Sequence, residues 1–274
     1  MNKQVPYEDH GLERFEAEGS PPILVASEMP GYIETTGARI WFAAYGSGTP
    51  VIMLHGGLGH SGNWGHQANA LVENGYRVIL IDSRGHGRST RDERPFSYEL
   101  MGTDVLAVMD TLGIAKAPIV GWSDGACTAM VLAAQQPARV SGVFFFACNM
   151  DPSGTKPIDE LPLVVQRCFN RHVTDYAELS ATPDRFDEFH AAVSRMMQTE
   201  PNFSAEDLAR IRVPVTVVLG EQDEFIRRDH TEYLARTIPD AKFVLMEGVS
   251  HFAPLQRPTL FNRTMLGFLR DLHL

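Results

Sequence analysis

With 274 residues, 44% of them hydrophobic and 21% charged, the chain is long enough for one large α/β core with an insertion, and its composition excludes disorder and low complexity. A formal charge of −10 argues against binding a phosphate backbone, which needs clustered Lys and Arg, and no apolar run is long enough to cross a bilayer. Neither nucleic acid nor membrane is therefore expected as a partner.

Residues 1–30 are rich in Glu, Pro and Gly without periodicity and read as a loose N-terminal leader. The first 18 residues hold no apolar segment of the secretory kind, so a cytoplasmic protein is expected. Residues 31–45 alternate around Gly37, with Tyr32, Ile33, Ile40, Trp41 and Phe42, and predict an antiparallel hairpin at a sheet edge. The run 51–54 is continuously apolar, the mark of a strand covered on both faces, and it ends in His55-Gly56-Gly57-Leu58-Gly59. A second such run, 78–81, ends in Asp82-Ser83-Arg84-Gly85-His86-Gly87-Arg88-Ser89, and residues 63–74 between the two predict a crossover helix. Residues 97–112 carry Leu100, Met101, Val105, Val108, Met109 and Leu112 at helical spacing.

A third strand, 117–120, runs into Gly121-Trp122-Ser123-Asp124-Gly125, followed by small residues from 126 to 134 that can pack as a close helix. Strand, sharp turn and helix around Gly-x-Ser-x-Gly make a nucleophile elbow: flanking glycines remove clashing Cβ atoms, and the serine hydroxyl projects at a helix N-terminus. Another apolar strand, 140–147, follows. From 151 to 211 prolines punctuate short amphipathic pieces near 161–169 and 186–197, predicting a lid with helices of its own. Its Phe, Met and Leu residues suit the roof of an apolar pocket, and packing onto the sheet explains them as well. The parallel pattern resumes at 213–219, a helix is expected over 227–238, a strand over 242–246 and a last helix over 258–272. Residues 31–150 and 212–274 thus form the core and 151–211 the insertion.

Serine chemistry needs a base and a carboxylate to orient it, and both belong at strand ends on the edge that carries the serine. Asp223 follows the 213–219 strand and His251 follows the 242–246 strand, so Ser123, Asp223 and His251 are the candidate triad, with Asp151 the competing acid. Oxyanion donors are expected from Asp124 N–H and from the 55–59 loop, at Gly57 with Leu58 as the near alternative. His55 is expected to fix that loop rather than act as a base, and Trp122 and Leu58 are candidate substrate contacts. Ten histidines lack any His-Glu-x-x-His or paired Cys/His pattern, so no metal and no cofactor is called for. Cys127, Cys148 and Cys168 are too few and too odd in number for a disulfide framework.

Together, His55-Gly56-Gly57, Asp82-x-Arg84-Gly85-x-Gly87-x-Ser89, Gly121-Trp122-Ser123-Asp124-Gly125, Gly220-x-x-Asp223 and His251 resemble the α/β-hydrolase family from about residue 31 to the C-terminus. The resemblance implies an eight-stranded, mostly parallel sheet with one antiparallel strand, a lid after the sixth strand, and the chain order serine, acid, histidine. It also implies hydrolysis of small carboxylic esters. A receptor-like relative with slow turnover, or carbon-carbon bond or cofactor-free chemistry, are the alternatives. The elbow looks like that of the valacyclovir hydrolase and biphenyl hydrolase-like group, where the Asp after the nucleophile reads an amino group. Asp124 is the only residue to which that carries over, and first-turn helix capping is its plainer explanation. The expected partner is a small ester-like molecule; a homodimer is one option for the assembly, which the sequence does not decide.

Overall fold

The computed structural model describes residues 10–158 and 160–273. The first element is a helix, α1 (His10–Glu18), where the sequence reading expects a loose leader. Leu12 and Phe15 on one face of α1 are buried, and Gly11 sits so close to the chain that a Cβ there would stand 2.5 Å from the Leu255 carbonyl oxygen. Two apolar residues three apart are too short a pattern to read, and tertiary contact rather than propensity holds this helix. The first nine residues of the expected leader lie outside the described residues.

The hairpin forms as expected, with β1 (Gly31–Thr35) and β2 (Ala38–Tyr45) antiparallel about Gly37. Then come β3 (Thr49–Leu54), α2 (Gly65–Glu73), β4 (Tyr76–Ile81), α3 (Tyr98–Thr111), β5 (Ala117–Trp122), α4 (Asp124–Gln135) and β6 (Val140–Phe146). Between β6 and the next strand lie α5 (Leu163–Leu179), α6 (Phe186–Thr199) and α7 (Ala205–Ala209). The chain closes with β7 (Val215–Gly220), α8 (Arg228–Thr237), β8 (Ala241–Met246), α9 (Ala253–Gln256) and α10 (Pro258–Asp271).

The eight strands make one sheet in the order β1-β2-β4-β3-β5-β6-β7-β8. β2 runs antiparallel to both its neighbours and the pairs from β4 to β8 are parallel. Alternation along each central strand feeds two cores. Ile52 and Leu54 of β3 join the layer with α3, α4 and α8, and Val51 and Met53 join the layer with α2 and α10. In β6, Phe144 and Phe146 meet Phe261 of α10 edge to face, with ring centroids 5.5 and 5.1 Å apart, and Phe145 points the other way. Burying each such ring contributes about 1.5–3 kcal/mol.

The excursion between β6 and β7 uses its apolar residues in both of the ways left open above. Phe186, Phe189 and Val193 of α6 pack down into the core, with Phe189 edge-on to His86 at 4.7 Å. Val165, Phe169 and Met197 instead face a cavity above the sheet's carboxyl edge. α1 braces this excursion from outside, where Arg167 reaches Glu13 at 3.1 Å and Asn170 donates to Glu16 at 3.2 Å. Beneath it, the Arg84 guanidinium binds Asp104 of α3 through two 2.7 Å hydrogen bonds in a fully buried site. That fork fixes the loop after β4 to the helix behind it.

Candidate active site

At the end of β5 the chain turns into α4 within one residue, and that residue, Ser123, is held at φ 53°, ψ −124°. A left-handed, non-glycine residue costs about 1–3 kcal/mol and persists only where its surroundings enforce it. Here they do. A Cβ on Gly121 would stand 2.5 Å from Ala126 Cα, and one on Gly125 would stand 2.1 Å from the Leu54 carbonyl oxygen. Glycine is therefore required two residues before and two after the serine, the spacing read in the sequence.

After β7 the loop carries Asp223, whose carboxylate is wholly buried. Its Oδ1 accepts from the backbone N–H of Phe225 at 2.9 Å and Ile226 at 2.7 Å, and its Oδ2 lies 2.9 Å from His251 Nδ1. With Nδ1 donating to the carboxylate, the far ring nitrogen of His251 is left as the acceptor. The two loops are pressed together because Gly220 has no side chain: a Cβ there would stand 2.6 Å from the Ser250 carbonyl oxygen. Phe225 packs edge-on to the His251 ring at 4.7 Å. Burial works to lower the pKa of His251, but Asp223, aided by Glu224 and Asp124, outweighs it and holds the imidazole above its ordinary value. Asp151, the competing acid, turns elsewhere: its Oδ1 caps Ser153 N at 3.0 Å and its Oδ2 faces His230 at 3.6 Å.

Ser123 and His251 line one cavity of ≈ 450 Å³ together with Gly57, Leu58, Asp124 and Tyr98. Among the described residues, the N–H groups of Gly57, Leu58 and Asp124 make no hydrogen bond within the chain, and Leu58 is itself left-handed at φ 64°. His55 acts as expected of it. Its Nδ1 donates to the Gly56 carbonyl oxygen at 2.8 Å, and its Nε2 accepts from Ser83 N at 3.0 Å, tying the 55–59 loop to the loop after β4. Burial pushes its pKa down to about 4, so the ring stays neutral and keeps this donor-acceptor split.

Trp122 and Asp124, on either side of the serine, face different ways. Trp122 is not in the wall of the main cavity; alternation along β5 sends it to the α10 face, where its ring meets Trp64 at 5.8 Å and Phe252 at 5.9 Å. It touches the site from below, 6.3 Å from the His251 ring. The Asp124 side chain does face the cavity. Its Oδ1 accepts from the Tyr98 hydroxyl at 2.8 Å and its buried Oδ2 has no partner among the described residues. Burial raises its pKa to about 6 against the opposing pull of Tyr98 and His251.

Sequence reasoning misses Tyr98, Lys156 and His172, all of which line the same cavity. Tyr98 follows the N-cap Ser97 and reads as an ordinary first-turn residue; Lys156, which donates to the Asp223 carbonyl oxygen, sits among prolines. Among the described residues no group of three or more His, Cys, Asp or Glu is arranged to hold a metal ion, and no helix is long and apolar enough to cross a membrane.

Comparison with known proteins places this architecture. A family profile described as "alpha/beta hydrolase fold" matches residues 49–185. The human protein "Serine hydrolase BPHL" is 24% identical over 87% of this chain and 85% of its own length. The "2-hydroxy-6-oxo-6-phenylhexa-2,4-dienoate hydrolase" of Burkholderia cepacia is 27% identical over 85% of this chain and 92% of its own. A solved structure described as an N-acyl homoserine lactone degrading enzyme superposes with a TM-score of 0.68 at 28% identity, covering 86% of this chain and 99% of that one.

The His251–Asp223 pairing has a direct spectroscopic consequence. In wild type, the His251 imidazole should titrate above 6.5, the ordinary value, when followed by NMR. In Asp223→Asn the leading raising charge is gone while the burial that lowers the pKa remains, so the midpoint should fall. A midpoint that does not move would mean that Asp223 does not set it.

Proposed function

The chain belongs to the α/β-hydrolase family, and on that premise we propose that it is a serine hydrolase that cleaves small carboxylic esters through an acyl-enzyme on Ser123. The observation that carries this reading is the strained Ser123 in the wall of the cavity that also receives the Asp223-paired His251. His251 takes the hydroxyl proton as Oγ attacks the ester carbonyl, and Asp223 stabilises the imidazolium so formed. Asp124 N–H, and Gly57 or Leu58 N–H, receive the oxyanion, where the positive end of α4 adds to their field. Collapse expels the alcohol, which takes its proton from His251. Water then resolves the acyl-enzyme, with His251 again the base.

Residues 151–211 act in this reading as a cap. Val165, Phe169 and Met197 bound the cavity with apolar surface that excludes water and strengthens every electrostatic interaction beneath. Cys127, Cys148 and Cys168 are buried and form no disulfide among the described residues, which suits a reducing cytoplasm, where a small diffusible ester is the expected substrate. The Burkholderia relative makes carbon-carbon bond cleavage a second chemistry for the same triad. A panel of short-chain nitrophenyl esters and a vinylogous diketone substrate separates them by which is turned over. For the ester reading, Ser123→Ala and His251→Ala should each lower kcat by about 10³–10⁶-fold and Asp223→Ala by somewhat less. Unimpaired ester hydrolysis by Ser123→Ala would sink it.

A finer specificity attaches to Asp124. A buried carboxylate oxygen in the cavity wall, without a partner among the described residues, suits an ammonium on the acyl group. Amino-acid esters should then be preferred over their N-acetyl forms above pH 6, where the carboxylate is charged, and the preference should fade below it. Asp124→Asn should abolish the preference at all pH values. If wild type and Asp124→Asn discriminate equally, Asp124 is only a first-turn helix residue.

A further inference from the structure

Beside the main cavity lies a second, much smaller pocket of ≈ 30 Å³. Ser123 and His251 line it together with Gly56, Gly57 and Gly59, and Trp122, Phe252, Asn63 and His172 complete the lining. Its size admits one or two waters and no acyl group, since about 10–15 Å³ of probe-occupied volume suffices for a water. It thus sits against the two residues between which a hydrolytic water must work.

A water at that position needs polar partners. Asn63 is already committed, its Oδ1 to His60 N at 3.0 Å and its Nδ2 to Ser20 Oγ at 3.0 Å. His172 is not. It descends from α5, is 7% exposed, and its Nδ1 has no hydrogen-bond partner among the described residues. Its ring approaches the glycine lining: a Cβ on Gly59 would stand 3.4 Å from His172 Cε1. The ring is held edge-on to Phe15 of α1, with centroids 6.0 Å apart. Three residues further along α5, Asp175 binds His60 at 3.2 Å and Arg171 at 2.6 Å, which locks this turn of the helix onto the core. A second orphaned polar atom, Trp122 Nε1, belongs to another lining residue of the same pocket. Buried polar groups without partners are rare, and two on the rim of one pocket point to a shared bridging water.

We infer that His172 seats the hydrolytic water in this pocket for breakdown of the acyl-enzyme, a role that rests on the Ser123 acyl-enzyme reading above. A neutral imidazole offers one acceptor and one donor nitrogen. Burial leads the influences that drive the His172 pKa down to about 3, so the ring is neutral at physiological pH. Its acceptor nitrogen takes one water proton in a hydrogen bond while His251 removes the other. The water oxygen then bonds to the acyl carbon, and the bond from that carbon to Ser123 Oγ breaks. Oγ recovers the proton held by His251, and the carboxylic acid leaves. His172 is in this account a positioning residue brought to the site by the excursion between β6 and β7, and the alcohol-releasing half-reaction does not need it.

The two half-reactions separate by quench-flow with a nitrophenyl ester, following nitrophenolate release and the intact mass of the acyl adduct on Ser123. His172→Phe preserves a ring of similar shape and removes both nitrogens. Acyl-adduct formation should stay within about twofold of wild type, while its decay slows about tenfold or more and the adduct accumulates. His172→Gln keeps a donor and an acceptor and should restore part of the decay rate. Formation and decay falling together would overturn the assignment, as would a decay rate indifferent to either substitution. A wild-type protein that turns over the ester without ever carrying the acyl group on Ser123 would instead remove the reading on which the inference stands.

Discussion

The turn at Ser123 is the constraint to which the rest of the molecule answers. One residue at φ 53° reverses the chain from β5 into α4, and it does so only because Gly121 and Gly125 allow backbone-to-backbone contact where any side chain would collide. The strain is balanced by a central strand paired on both sides and by a helix buried along most of its length. Those same elements set the height of the hydroxyl above the sheet. Each partner loop is then placed by the end of another strand in the same sheet: the 55–59 loop by β3, the Asp223 loop by β7 and the His251 loop by β8.

Buried charge is handled in opposite ways around this turn. Asp223 is surrounded by donors, two backbone N–H groups and the imidazole, so its orientation is fixed. Asp82, also fully buried, accepts from Ser61 N and Arg88 N, and with neutral His55 it locks the loops after β3 and β4 to each other. Asp124 differs, with one oxygen satisfied by Tyr98 and the other by nothing among the described residues. Buried polar groups without partners are rare, so this half-paired carboxylate in the cavity wall stands apart from the paired ones around it.

Much of this was legible in the residues because the relevant patterns are local. The apolar runs at 51–54, 78–81 and 140–147 read as strands covered on both faces, and each ends where a candidate loop begins. Gly-x-Ser-x-Gly is legible because its glycines are sterically obligatory. What stayed hidden depends on contacts made across the chain. Helix α1 shows only Leu12 and Phe15 to the reader and owes its order to α5 and α9. Trp122 looks like a substrate contact from its place beside the serine, yet strand alternation turns it into the core beneath His251. His172 gives no signal at all, since a histidine midway along an amphipathic helix reads as surface until α5 is folded down over the site.

The central claim is that Ser123 is a nucleophile made by the fold, activated by the His251–Asp223 pair. Reaction with a fluorophosphonate probe, followed by mass analysis of the peptide that contains residue 123, tests it without knowledge of the natural substrate. The account predicts a single adduct on Ser123 in wild type, none in Ser123→Ala, and greatly slowed labelling in His251→Ala. An unlabelled wild-type Ser123, or equal labelling of Ser123→Ala at another residue, would contradict it.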